Sequence, residues 1–217
     1  MKNLLPGLRK FSESEFKNKQ SLFETLSKGQ SPHTLLITCS DSRIDPNLIT
    51  QTEPGEIFVV RNAGNIVPPF GSSLGGEEAA IEFAIDGLKV TNVVVCGHSH
   101  CGAMAGLMDR VNIESLPSVK KWLGHAQATR RRIEATPEGK NTDLKKVIEE
   151  NVLVQADNLK THPAVSAALR QGRIRIFGWM YHFENGSVTV YDPKNKTFIL
   201  SAEVKNELAE DMTRFAL

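Results

Sequence analysis

Two short blocks of the chain carry residues able to do chemistry, Cys39-Ser40-Asp41-Ser42-Arg43 and His98-Ser99-His100-Cys101. Cys39, His98 and Cys101 offer two thiolates and one imidazole. Zinc accepts this set, and three protein ligands leave one tetrahedral position for water, as catalytic sites do. Cys101 precedes a predicted helix, where the dipole favours a thiolate. Gly97 and Gly102 let the backbone turn sharply around a metal. Asp41 is placed either to ligate the metal or to accept a hydrogen bond from its water. Arg43 would pair with it and keep it ionised. If Cys39–Arg43 continues an extended strand, Cys39, Asp41 and Arg43 point the same way, ~6.5–7 Å per pair. The plainer readings are a buried cysteine at a strand end and a surface ion pair worth ~0–1 kcal/mol. Two cysteine blocks in a chain with three cysteines favour the metal. Cys96, inside the VVVC run, reads as core. His100 reads as exposed, with a spare ligand or proton relay as alternatives.

The elements must bring these blocks together. Thr34–Cys39, Ile57–Val60 and Asn92–Cys96 are short apolar runs suited to buried strands. Helical patterns follow at 73–88, with Leu74, Ile81, Ile85 and Leu88 near one face, and from Gly102 to about Asp109. Strands alternating with helices indicate an α/β fold with a mainly parallel central sheet flanked by helices. Both blocks begin where a strand ends, and open α/β sheets bind ligands at the carboxyl ends of their strands. Residues 117–135 and 141–170 read as helical. Residues 173–177 and 188–191 read as strands joined through the Asn185-Gly186 turn. Residues 8–28 form a polar helical arm too poor in apolar residues to stand alone. It is expected to pack along itself or onto a second subunit. The predicted organisation is one domain over 1–217: an arm over 1–30, an α/β core over 31–200 and a tail over 201–217.

The chain has 217 residues, 26 Lys+Arg against 25 Asp+Glu and a net charge of +1, which argues against broad phosphate neutralisation of a nucleic acid. The run Arg130-Arg131-Arg132 fans over different helix faces and reads as solvated surface. Three cysteines build no disulfide scaffold. No apolar leader or membrane-length run is visible, so the cytoplasm is the expected compartment, with no nucleic-acid or membrane partner.

The blocks CSDSR at 39–43, RNAGN at 61–65 and GHSHCG at 97–102, in this order and spacing, resemble the β-class carbonic anhydrases, and residues 157–192 resemble that family's C-terminal part. The resemblance implies one zinc per subunit on Cys39, His98 and Cys101, with an Asp41–Arg43 dyad that frees and orients the fourth position. It implies reversible hydration of carbon dioxide to bicarbonate and a proton by zinc-bound hydroxide. It implies a homodimer as the minimum unit, with tetramers and octamers in the family, and an arm that wraps the neighbour. Gln30 matches a glutamine of the plant-type members, and Leu36 stands where the bicarbonate-inhibited subgroup has tryptophan. Phe58, Ala63, Phe83 and Gly102 match substrate-pocket positions; Phe83 replaces a tyrosine and Ala63 a valine of the plant enzymes. Two rival readings are a hydrolase of carbonyl sulfide or carbon disulfide on the same site, and a non-catalytic zinc-binding regulator. The retained Asp41 and Arg43 count against the second.

Overall fold

A computed structural model describes residues 4–72, 75–204 and 215–217. The chain divides into two compact units, residues 1–31 and 32–217. In the first, α1 (Leu4–Lys10), a wider π-helical turn (Phe11–Glu15) and α2 (Phe16–Asn18) run on continuously. Lys19 leaves helical geometry before α3 (Gln20–Leu26). No residue of these helices is buried. Three rings cluster along the arm: Phe16 stacks on Phe23 at 5.1 Å between centroids, and Phe11 meets Phe23 edge-on at 5.7 Å. The arm thus packs partly on its own body.

The second unit is built on a six-stranded sheet in the order β2-β1-β3-β4-β5-β6. The strands are β1 (Thr34–Cys39), β2 (Ile57–Asn62), β3 (Asn92–His98), β4 (Arg175–Tyr181), β5 (Val188–Asp192) and β6 (Thr197–Leu200). The first four are parallel, and β5 and β6 close the sheet antiparallel. Strand alternation explains the continuous apolar runs. Leu35, Ile37, Val93, Val95 and Ile176 enter one core, while Leu36, Val94, Cys96 and Phe177 enter another. Both faces are covered, so both must be apolar. Cys96 is fully buried in this way, as its sequence position suggests.

Helices α4 (Pro46–Thr50), α5 (Gly76–Glu82), α6 (Gly102–Leu107), α7 (Pro117–Leu123), α8 (Gln127–Glu134), α9 (Leu144–Leu159) and α10 (Pro163–Arg170) flank the sheet. The expected helix over 73–88 begins at Gly76; Ser73 and Leu74 lie outside the described residues. The stretch 141–170 is two helices, because His162-Pro163 forces extended backbone before α10. The tail residues 205–214 also lie outside the described residues. Among the described residues, no helix is long and apolar enough to cross a membrane.

The fold subordinates two details to the site. β1 and β3 are neighbours, with Thr38 opposite Cys96, so the next residues, Cys39 and Gly97-His98, emerge side by side. The chain visits β2 on one flank of β1 and then β3 on the other. Their carboxyl ends therefore form the crevice at which open α/β sheets bind ligands. Gly97 lets α9 close over this end: a Cβ there would lie 2.8 Å from Ile148 Cγ2 and 3.0 Å from Val152 Cγ2.

Candidate metal centre

Cys39 ends β1, His98 ends β3, and Cys101 is the residue that caps α6. Their ligand atoms, two sulfurs and one ring nitrogen, all lie within 4.8 Å of one another, and all three residues are buried. His98 Nδ1 lies 2.8 Å from the Ser99 carbonyl oxygen. A carbonyl only accepts, so Nδ1 carries the proton and Nε2 presents a lone pair. That Nε2 is buried without a hydrogen-bond partner. An orphaned imidazole lone pair facing two sulfurs is costly in a core unless it holds a cation. The donor set suits zinc.

The two sulfurs share their acidity. The Cys39 thiol is lowered well below its ordinary range, chiefly because Cys101 donates to it, with the Gly64 N–H also donating at 3.3 Å. Cys101 is correspondingly pushed up by the Cys39 thiolate and by burial. A divalent cation between them would remove this competition and favour both thiolates.

The strand does not continue through the second half of the block. β1 stops at Cys39, and the chain turns: Ile44 N donates to the Asp41 carbonyl at 3.2 Å. The expected extended alignment of Cys39, Asp41 and Arg43 is therefore replaced by a turn. Asp41 Oδ1 caps it by accepting from Arg43 N at 3.0 Å. Arg43 still reaches its carboxylate, bidentately, with Nε to Oδ1 at 2.9 Å and Nη2 to Oδ2 at 2.7 Å. This guanidinium holds the Asp41 carboxyl well below the usual carboxylate range. Asp41 Oδ2 lies 3.9 Å from His98 Nε2.

Three further residues brace the site. Arg61, in the RNAGN block, donates to the carbonyls of Cys39 (3.0 Å), Asp41 (2.8 Å) and Ile44 (3.0 Å), tying the turn to β2. Phe183 lies under Arg43, 4.6 Å from guanidinium carbon to ring centroid, and 5.0 Å from the His98 ring. Glu184 accepts from Ser99 Oγ at 3.0 Å and pairs with His100 at 2.6 Å. Sequence reasoning missed these roles. The arginine lay within a recognised block, but Phe183 and Glu184 sit in a polar loop with no signal of their own.

The pocket residues separate into groups. Ala63 precedes Gly64, which touches Cys39 Sγ, and Gly102 opens α6 beside Cys101 with free space where a Cβ would stand. Phe58 and Phe83 pair with each other at 6.0 Å. Phe58 stands opposite Leu35, four register steps before the Cys39–Asn62 level, or about 13 Å along the strand at ~3.3 Å per residue. These two rings are not brought to Cys39 of the same chain. Gln30 belongs to the first unit, in the exposed segment after α3. Of the arginine run, Arg131 and Arg132 are exposed as expected, pairing with Glu134 and with Glu150 and Asp157, whereas Arg130 is partly buried and pairs with Asp109 and Glu134.

A profile of the carbonic anhydrase family matches residues 34–188. The chain is 54% identical over 191 residues to a carbonic anhydrase of Synechococcus elongatus, covering 87% of this chain and 70% of that one. It is 42% identical over 204 residues to a carbonic anhydrase of Pseudomonas aeruginosa, covering 94% and 93%. Among solved structures it is similar to the β-carbonic anhydrase CcaA, with a TM-score of 0.87 at 47% identity over 92% of this chain and 98% of that one. It is also similar to one of two tetrameric β-carbonic anhydrases of Sordaria macrospora, with a TM-score of 0.75 at 28% identity over 86% and 94%. With the cysteine–histidine–cysteine cluster at the switch point of a mixed α/β sheet and relatives of this closeness, the chain belongs to the β-class carbonic anhydrase family.

Proposed function

We propose that the chain catalyses reversible hydration of carbon dioxide to bicarbonate and a proton, with zinc held by Cys39, His98 and Cys101. The observation that carries the reading is the bare, buried Nε2 of His98 facing two sulfurs, beside a carboxylate whose two oxygens are both engaged by one arginine. When bound, zinc supplies a Lewis acid that brings a water's pKa from 15.7 down toward about 7.

Each protein group then has a task set by its chemistry. Asp41, ionised, can only accept hydrogen bonds, so it would accept one from the attacking oxygen's O–H and thereby turn an oxygen lone pair toward the carbon. Arg43 fixes that carboxylate from two directions and keeps it from becoming a fourth ligand. Gly102 leaves room beside Cys101 for the substrate, and Ala63 contributes apolar surface. Gln30 donates an amide N–H to a substrate oxygen, as its match to the plant-type members implies. Phe58 and Phe83 supply the remaining apolar wall suited to a nonpolar gas. Because Phe58 lies about 13 Å along the strand from its own Cys39 level and Phe83 packs on Phe58 at 6.0 Å, a second copy of the chain supplies them in this reading. A homodimer is thus the smallest active unit in this reading.

Stopped-flow carbon dioxide hydration on protein of measured zinc content tests the proposal. One zinc per chain with rapid turnover is expected. Zinc without turnover would favour the regulator, and turnover of carbonyl sulfide alone would favour the hydrolase.

A further inference from the structure

One peptide group connects a side chain outside the cluster to a cluster sulfur. The Ala63–Gly64 peptide donates its N–H to Cys39 Sγ at 3.3 Å and accepts at its carbonyl oxygen from Trp122 Nε1 at 2.8 Å. Trp122 lies on α7, 59 residues along the chain from Ala63. The peptide is held firmly. Gly64 has φ +84°, and a Cβ would meet Ala103 Cβ and Met104 Cε of α6 at 3.0 Å each. Its own carbonyl accepts from Asn151 Nδ2 on α9 at 3.0 Å. Asn151 is buried, and its Oδ1 accepts from Thr129 at 3.0 Å and Gln155 at 2.9 Å, which settles which end of the amide donates.

We propose that Trp122 is a positioning residue for the metal centre: its indole N–H, acting through the Ala63–Gly64 peptide, sets the direction and strength of the hydrogen bond that Cys39 Sγ receives. The inference rests on the reading of Cys39 as a metal ligand. A peptide whose carbonyl accepts a hydrogen bond is a stronger donor at its N–H, because the two polarise together. An N–H donated to a thiolate lowers the energy of the sulfur lone pairs. Groups that orient ligands in this way tune a metal site although they never touch the ion. Phenylalanine at this position would keep an aromatic ring on α7, where Trp122 now meets His125 edge-on at 5.4 Å between centroids, but would lack the N–H. Only the indole N–H serves the relay.

Trp122→Phe keeps the ring and removes the donor. Wild type and variant are loaded with cobalt(II), and their sulfur-to-cobalt charge-transfer bands are compared; zinc loss to a chelator is followed in parallel. The bands should move to longer wavelength in the variant, and zinc should be lost about tenfold faster. Bands at the wild-type position overturn the inference, whatever the rate of zinc loss. A wild-type protein with no sulfur-to-cobalt bands overturns the metal reading itself, and this inference with it.

Discussion

Asp41 and Cys39 stand two residues apart, yet their substitutions should separate cleanly. Cys39 offers a ligand atom at the centre of the buried cluster, whereas Asp41 has both oxygens committed to Arg43. Asp41→Ala should retain one zinc per chain and lose at least about 100-fold in carbon dioxide hydration, the scale of losing a group that orients the attacking oxygen. Elemental analysis with stopped-flow turnover checks this, and a fully active variant would remove Asp41 from the mechanism. Cys39→Ser should instead lose the metal and melt at lower temperature, since metal binding and folding are linked. At this scale the sequence was legible where chemistry is concentrated in residue type. A thiol and an imidazole at the ends of two predicted strands, with a second thiol at the start of a predicted helix, point to a metal before any fold is known. Phe183 was not legible. An aromatic ring in the loop after β4 acquires meaning only when the sheet sets it between Arg43 and His98.

The elements hold these groups through contacts at their ends. α6 begins at the Cys101 cap, and its other end is tied by Arg130 of α8, which donates to the Leu107 carbonyl at 2.9 Å. The same guanidinium donates to Asp109 at 2.6 Å and Glu134 at 2.9 Å and holds both carboxyls below their ordinary range. Carboxyls lowered by folding stabilise above their unfolded pKa and lose that contribution as pH falls through the folded value. The melting-temperature gap between wild type and Arg130→Met should therefore be constant across neutral pH. It should narrow once pH falls below the ordinary carboxylate range; a gap that widens in acid would contradict the assignment. Gly97→Ala tests the other support. Its Cβ would stand 2.8 Å from Ile148 Cγ2, so α9 must shift or His98 must move, and thermal unfolding should show a loss of about 1–3 kcal/mol. The apolar runs made β1, β3 and β5 readable in advance, while the strand expected over 173–177 caught only the start of β4, which runs on to Tyr181. The short β6, Thr197–Leu200, escaped because its pairing with β5 is a tertiary fact. The turn at Asp41 escaped because an Asx cap and Arg61's three carbonyl contacts outweigh continuation of the strand.

For the molecule as a whole, the metal cluster and part of the predicted apolar wall lie at different levels of the sheet. Cys39 and His98 sit at the carboxyl ends of their strands, while Phe58 pairs with Leu35 nearer the amino end, and Phe83 accompanies it with half its surface exposed. The first helix of the arm exposes Leu4, Leu5 and Leu8 and buries no residue. No side-chain rotation spans about 13 Å, so the proposed wall built from these rings calls for another copy of the chain. This arrangement has a consequence that a self-contained site lacks. Asp41→Ala and Phe83→Asp should each be poorly active alone, for different reasons. When the two are mixed and allowed to exchange subunits, half of the dimers are hybrid. In each hybrid one site combines an intact Asp41 with the other chain's intact Phe83. Activity should therefore rise to about a quarter of the wild-type value per chain, the fraction set by two-fold symmetry and random pairing. Stopped-flow assays before and after exchange measure it, with mass spectrometry to count hybrids. Hybrids that form without any gain in turnover would mean that each chain completes its own site, and the second copy would then have no catalytic part.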